Sequence, residues 1–397
     1  MIRVRTRILI KLLFVLLFLT AASAAAEQAQ DVAAACTLKA TENADTRKYV
    51  LTKSLNQRWN AGESGTLTVT LPEGKLAQGV MLSHYGQETA VEILDENGRC
   101  IGRGPGSYRV EWIPFEREAS AFTIVRKNEA DVLSIARMSV LTPGELPDWV
   151  QRWKTLEEPA ELMLISTHPD DEILWFGGIL PYYAGELRRK VEVVYMVGGL
   201  NPVRTLELLD GLWYMGVTHY PDIGTFSNVG LGSLSSVYDG WGRYGAEERI
   251  VEVIRHYRPQ VVITQDVNGE YLHYAHVATV QAVIDVFENG LSADAGKYPE
   301  SAAVWGTWEP LKLYIHLWKE NEIRFDWNRP LDAFGGKTGL QIAKAAFKKH
   351  VSQQKSKYHH AVKDSGQYDC SLFGLYWSSV GPDEAHDDLF EHVPAPE

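Results

Sequence analysis

His168, Asp170 and Asp171 stand close together just after an apolar run, Leu162 to Ser166, and Glu172 follows them. A second segment, Gln265 to His276, sets Asp266, Glu270, Tyr271, His273 and His276 after another apolar run, Val261 to Thr264. Imidazoles and carboxylates are the side chains that hold borderline cations and move protons near neutral pH. Two histidines and one carboxylate, with a position left open to water, form a hydrolytic zinc set. A further carboxylate beside them can take the proton from that water. Each segment alone also has a plainer reading. Pro169 followed by Asp170, Asp171 and Glu172 suits a helix start, where proline fits the first turn and acids suit the dipole. His273 and His276, three apart, share one side of a turn and could be a surface pair. A helix cap does not account for His168. Both segments also follow apolar strands, and that common position favours one shared site.

The elements that must position these residues follow from the rhythm of the chain. Leu162 to Ser166, Val191 to Val197, Val261 to Thr264 and Lys312 to Leu317 read as buried strands. Ile173 to Arg189, Arg204 to Met215, Ala246 to Tyr257, Val277 to Phe287 and Gly339 to Tyr358 read as helices. Such alternation predicts an α/β unit, a mostly parallel sheet with helices on both faces. In such sheets ligands bind at the carboxyl ends of the strands. Upstream, Thr66 to Leu71, Ala90 to Leu94, Tyr108 to Trp112 and Ala121 to Val125 alternate in short runs broken by turn signals. They predict a smaller N-terminal antiparallel β-sandwich, with no cluster that suggests chemistry. The Pro- and Gly-containing stretch Leu141 to Pro147 reads as the linker. We therefore expect a β-sandwich over 47–141 and the α/β domain over 148–397, with residues 27 to about 46 disordered.

Net charge of −12 over 397 residues argues against nucleic acid, whose phosphates need a basic surface. Arg3, Arg5, Arg7 and Lys11 precede or interrupt the apolar run Leu12 to Leu19, and small residues follow at Ala22 to Ala26. This predicts an export signal over 1–26, too short in its apolar part for a span of about 20 residues. The expectation is an exported protein with no stable membrane span after cleavage, an uncleaved anchor being the alternative. Cys36, Cys100 and Cys370 make an odd count that forbids full pairing; an exported protein could pair Cys36 with Cys100 and leave Cys370 free. Phe334 to Gly339 lacks the spacer of a phosphate loop and reads as a helix-start turn or a loop framing a cleft. His359 and His360 suit the negative end of the late helix, and Asp383 to Asp388 read as a solvated tail.

The segment Leu164-Ile165-Ser166-Thr167-His168-Pro169-Asp170-Asp171-Glu172, with Tyr271-Leu272-His273-Tyr274-Ala275-His276, resembles the PIG-L/LmbE-like zinc-dependent de-N-acetylases. That family includes N-acetylglucosaminyl-phosphatidylinositol deacetylases and the bacterial deacetylases of mycothiol and bacillithiol synthesis. The resemblance covers roughly residues 160 to 380. It implies a Rossmann-like fold and zinc held by His168, Asp171 and His276. It further implies Asp170 as general base, His273 as oxyanion partner and Tyr271 as a mobile tyrosine assisting there. Arg204 matches an arginine common at the start of the second helix. Ala275 departs from the family, many members having aspartate before the last histidine. The expected activity is deacetylation of an N-acetylated sugar or glycan. The alternatives are a non-catalytic carbohydrate-binding scaffold and a zinc amidase or peptidase.

Overall fold

The computed structural model describes residues 27–198, 201–229, 232–354 and 362–395. The expected export signal, and His359 and His360, lie outside the described residues.

Nine strands come first: β1 (Thr37–Ala40), β2 (Trp59–Asn60), β3 (Leu67–Thr70), β4 (Ala77–His84), β5 (Val91–Leu94), β6 (Cys100–Gly104), β7 (Val110–Ala119), β8 (Ala121–Arg126) and β9 (Ser134–Leu141). They form two antiparallel sheets, ordered β1-β3-β8-β5-β6 and β2-β9-β4-β7. Period-two alternation turns Leu67, Val69, Ile93, Phe122 and Ile124 inward from one sheet, against Val80, Leu82, Ile135 and Val140 of the other. This is the expected sandwich, built by burying one face of each strand.

One expectation fails here. Residues 27–46 are ordered, not disordered. β1 pairs with β3 along its length, Ala29 N donates to Glu145 O, and Val32 N donates to Val140 O. The Asp31 carboxylate accepts from the amides of Ala33 and Val140. Polar composition suggested a chain too poor in apolar surface to fold. Strand-edge hydrogen bonding and a few buried residues, among them Ala29, Ala33 and Cys36, hold it nonetheless.

The second layer contains β10 (Leu162–Ser166), β11 (Val191–Val197), β12 (Asp222–Phe226), β13 (Val261–Thr264), β14 (Lys312–His316), β15 (Glu322–Arg324), the small hairpin β16 (Pro330–Leu331) and β17 (Lys337–Thr338), and β18 (Leu372–Ser378). The main sheet has the order β12-β11-β10-β13-β14-β18-β15. Its first five strands are parallel, and β18 and β15 add an antiparallel edge. β10 is covered on both sides, with Leu162 and Leu164 in one apolar cluster and Met163 and Ile165 in the other. That explains an unbroken apolar run where a half-exposed strand would alternate. Because β10 and β13 are neighbours in register, the two chemistry-bearing loops leave the same end of the sheet side by side.

The expected helix Ile173 to Arg189 is broken. A short helix, Asp171–Leu174, is followed by turns and then a wide π-type turn, Pro181–Glu186. Gly177 sits at φ +50°, and a Cβ there would lie 2.4 Å from Cys370 Sγ; one at Gly178 would lie 2.5 Å from the Trp327 ring. Close packing against the C-terminal segment, with the left-handed φ at Gly177, overrides the helical periodicity. The late helix is also shorter than expected, Gly339–Phe347, with a 3₁₀ turn at Val351–Gln353. Its start is the plain helix-start turn: the Thr338 hydroxyl accepts from Gln341 N in a capping box.

The tail is solvated only in part, Glu384 and Asp387 being exposed. Asp383 is buried, accepting from Lys312 Nζ and, at 2.6 Å, from Tyr314 OH, while Asp388 accepts from Tyr183 OH at 2.7 Å. Cys36, Cys100 and Cys370 are all free thiols. The sandwich packs on the parallel sheet's layer through Met81, Val110, Ala136 and Leu141, and Arg137 makes a two-pronged contact with Asp210 at 2.7 and 2.8 Å. Among the described residues, no helix is long and apolar enough to cross a membrane.

Candidate metal centre and active site

The loop after β10 and the helix Tyr274–Glu288 after β13 converge. His168 Nδ1 lies 3.0 Å from His276 Nε2. Asp171 Oδ2 lies 3.3 Å from the first and 3.1 Å from the second. The three side chains are buried. Ligands of one tetrahedral ion at Zn–N and Zn–O lengths stand about 3.3–3.5 Å apart, close to these three separations. His168 Nε2 sits 3.1 Å from the Asn228 side-chain oxygen. With the Nε2 proton donated to that oxygen, Nδ1 would offer a lone pair beside His276 and Asp171, an arrangement that a cation would stabilise. The donor set therefore fits a divalent metal.

His273 is drawn into the same group, the ligand atoms of His168, His273 and His276 lying within 4.8 Å of one another. Its ring packs against those of His168 and His276 at centroid distances of 4.8 and 4.7 Å. Burial, followed by the neighbouring His276 and His168, pulls its pKa down to about 3. It is thus a neutral imidazole, and its Nδ1 is buried without a hydrogen-bond partner. A neutral ring can donate one N–H toward developing negative charge. Tyr271 packs its ring against His273, His276 and Trp175 at centroid distances of 5.7, 5.6 and 5.8 Å.

Asp170 stands apart from the donor triangle and is not a side-chain cap of the helix it precedes, since its carboxylate makes no capping bond. Its backbone is held at φ +120°, a region that costs an aspartate about 1–3 kcal/mol. Two neighbours, Glu172 and Arg204, hold it there. Asp170 N donates to Glu172 Oε2 at 2.8 Å, and Arg204 donates to Pro169 O while its guanidinium lies 3.3 Å from the Asp170 carboxylate. Burial pushes the Asp170 carboxyl up to about 7, with Arg204 pulling the other way and Asp171 adding to the rise. Asp171 behaves oppositely: burial works against its charge, yet His276 and His168 keep it well below the usual carboxylate range. Two adjacent aspartates thus have distinct roles, one a fixed anion and one able to exchange a proton near neutrality.

The bracing contacts around these residues were not read from sequence. Asp171 Oδ1 accepts from Trp175 Nε1 at 2.8 Å and Oδ2 from His168 N at 2.7 Å, which fixes the carboxylate's rotation. Behind Asp170, Glu172 faces His350 Nε2 at 3.4 Å, both fully buried. His350 has room because Gly211 has no side chain; a Cβ there would lie 3.1 Å from Nε2. On the other segment Glu270 holds φ +61°, braced by His316 Nδ1 at 2.9 and 3.0 Å and by Asp266 N at 3.0 Å. His316 Nε2 in turn donates to Asp369 O. Glu172 and Glu270 stood within the two segments read from sequence without a role, and His316 stood at the end of a predicted strand. His276 Nδ1 has no hydrogen-bond partner, in keeping with Ala275 beside it.

Residues 163–287 match the family model described as PIG-L: GlcNAc-PI de-N-acetylase. Over these residues the chain is similar to the PIG-L family. Its relatives include the 1D-myo-inositol 2-acetamido-2-deoxy-alpha-D-glucopyranoside deacetylase 1 of Catenulispora acidiphila, 27% identical over 172 residues, 36% of this chain and 52% of that protein. They also include the mycothiol S-conjugate amidase of Streptomyces coelicolor, 31% identical over 191 residues, 41% of this chain and 62% of that protein. The chain thus spans between half and two thirds of the length of these relatives. Among solved structures, the N,N'-diacetylchitobiose deacetylase of Pyrococcus horikoshii aligns at 16% identity and TM-score 0.37, over 50% of this chain and 73% of that one. The PIG-L match contains every expected site residue, from His168 to His276, but neither His316 nor His350.

The Trp175 brace yields a prediction. Trp175→Phe removes the donor to Asp171 Oδ1 and should weaken metal affinity about 10–100-fold, as loss of such outer partners does. Calorimetric titration of metal into chelator-stripped protein checks it, and an unchanged affinity would contradict the role given to the indole.

Proposed function

We propose that this protein is a metal-dependent hydrolase that removes the acetyl group from an N-acetylated sugar or glycan, that its metal is zinc, and that it works after export. The observation that carries the reading is the buried triangle of His168, Asp171 and His276 beside an Asp170 carboxyl that burial pushes up to about 7. Two nitrogens and one oxygen suit zinc among the common divalent ions. A divalent ion held there supplies Lewis acidity to the amide carbonyl and makes water more acidic.

The rest is done by the chain. Asp170 accepts the proton of the attacking water and returns it to the departing amine, and Arg204 steadies the carboxylate. His273, kept neutral, donates to the oxyanion of the tetrahedral intermediate. Tyr271 walls the site beside both histidines. The deacetylases among the relatives support an N-acetyl sugar as substrate, and the amidase supports amide hydrolysis as the shared chemistry. Export rests on the basic and apolar N-terminus, and mass spectrometry of the secreted form should find a start near Ala24 to Ala26.

The test is acetate release by zinc-loaded protein from N-acetylglucosamine, chitin fragments and peptidoglycan fragments. Release from at least one, lost on chelation and restored by zinc, is expected, and His276→Ala should hold no ion by elemental analysis. No release from any of them, or full metal occupancy in His276→Ala, would defeat the reading.

A further inference from the structure

A groove of about 2030 Å³ runs along the seam between the sandwich and the parallel sheet, and none of His168, Asp171 and His276 lines it. Val191, Val217, Thr218 and His219 line it, so it opens at the amino ends of β11 and β12. The metal donors follow the carboxyl ends of β10 and β13. The groove's charge runs against that of the chain as a whole. Lys53, Arg152, Lys154, Arg188, Lys337 and Lys348 line it, all exposed and none in an ion pair with a described residue. Lys349 joins them, its ammonium over the Tyr214 ring at 5.3 Å.

The lining carboxylates are fewer than the cations, and one of them, Asp210, is paired. Asp31 accepts from two backbone amides. Glu207 accepts from the amide and hydroxyl of Ser352. Asp210 is held by Arg137 and Gln151. Among the described lining residues, Asp31, Asp148 and Glu207 keep their charge without a cation in an ion pair, so the unpaired cations still outnumber the unpaired carboxylates. A protein of net charge −12 therefore keeps a long concave strip of unneutralised cations, which focuses field and favours anionic chains. Trp149, 45% exposed on the groove wall, offers a flat apolar face of the kind that sugar rings stack on.

We propose that this groove binds an anionic polysaccharide, a chain of carboxylated sugars, at a site separate from the metal centre. The cations meet the carboxylates, and Trp149 meets a ring face. Nucleic acid fits less well, because a long duplex would extend over the acidic remainder of the surface. A membrane surface fits less well because the strip is concave. The proposal shares with the deacetylation reading only the idea that the partner is a glycan, and binding here does not require catalysis.

The test is affinity electrophoresis of the full chain in gels containing polygalacturonate, dextran or DNA, with mobility taken relative to a polymer-free gel. Polygalacturonate should retard the protein, dextran and DNA should not, and retardation should weaken as salt rises. A Lys53→Glu, Arg152→Glu, Lys337→Glu triple variant, drawn from three walls of the groove, should bind at least tenfold more weakly. Its thermal melt and its acetate release from a small substrate should stay as in the parent. Asp170→Asn should bind polygalacturonate as the parent does, so failure of catalysis and failure of binding are read separately. No retardation, equal retardation by dextran or DNA, salt-insensitive retardation, or undiminished binding by a folded triple variant would overturn the proposal.

Discussion

Asp170→Asn should lower the deacetylation rate about 10²–10⁴-fold, the usual cost of a general base, while metal content and fold stay intact. The expectation is specific because the structure removes the competing explanation. An aspartate that merely capped the helix would be replaced by asparagine, itself a good cap, with little change. Here the carboxylate makes no cap bond and instead faces Arg204. Stability should hardly fall. Burial already opposes the charge at this position, so removing it offsets the lost contact with Arg204. The measurement pairs single-turnover acetate release with elemental analysis and a thermal melt. A metal-replete variant with parental rate would end the assignment of Asp170 as base. His273→Ala, measured the same way, should lose about 10²–10³-fold with its metal retained.

Lys312→Met should be the most damaging single change to stability. Lys312 and Asp383 are both fully buried and paired, with Tyr314 OH donating to the other carboxylate oxygen at 2.6 Å. Removing the cation leaves a buried carboxylate with a single neutral donor, and breaking such a pair from one side costs about 3–5 kcal/mol. The tail that carries Asp383 should then detach from β14. The companion experiment replaces both partners, Lys312→Met with Asp383→Leu. Because the cost lies in the uncompensated charge, the double variant should recover most of the stability. Denaturant melts of the three proteins decide it, and a double variant no better than the single would show that the pair's own attraction dominates.

Much of the site could be read in the sequence because its signals are local. An apolar strand ending in His-Pro-Asp-Asp-Glu, and another ending in a His-x-x-His turn, declare both the donor types and the sheet end on which they sit. The two antiparallel sheets were legible for a similar reason, since period-two alternation is a local property. The braces were not. Glu270 and His316 meet across 46 residues, and Glu172 meets His350 from the far end of the late helix. In sequence each is an ordinary charged or titratable residue, and only packing turns a pair of them inward. The same limit explains the buried Asp383 and the ordered residues 27–46, where composition pointed to solvent and long-range pairing supplied the partners.

Local pattern is enough to say which residue types gather and at which end of the sheet. Hydrophobic periodicity sets strand and helix, and neighbouring parallel strands deliver their following loops to one edge. Tertiary structure alone decided the rest. It turned His168, Asp171 and His276 to one point within 3.3 Å of each other, and held Asp170 at φ +120°. It also broke the expected helix at Gly177, where the C-terminal segment presses too close for a side chain. Ring orientation, strained backbone and close approach depend on contacts between residues far apart in the chain, and local pattern carries no record of those contacts.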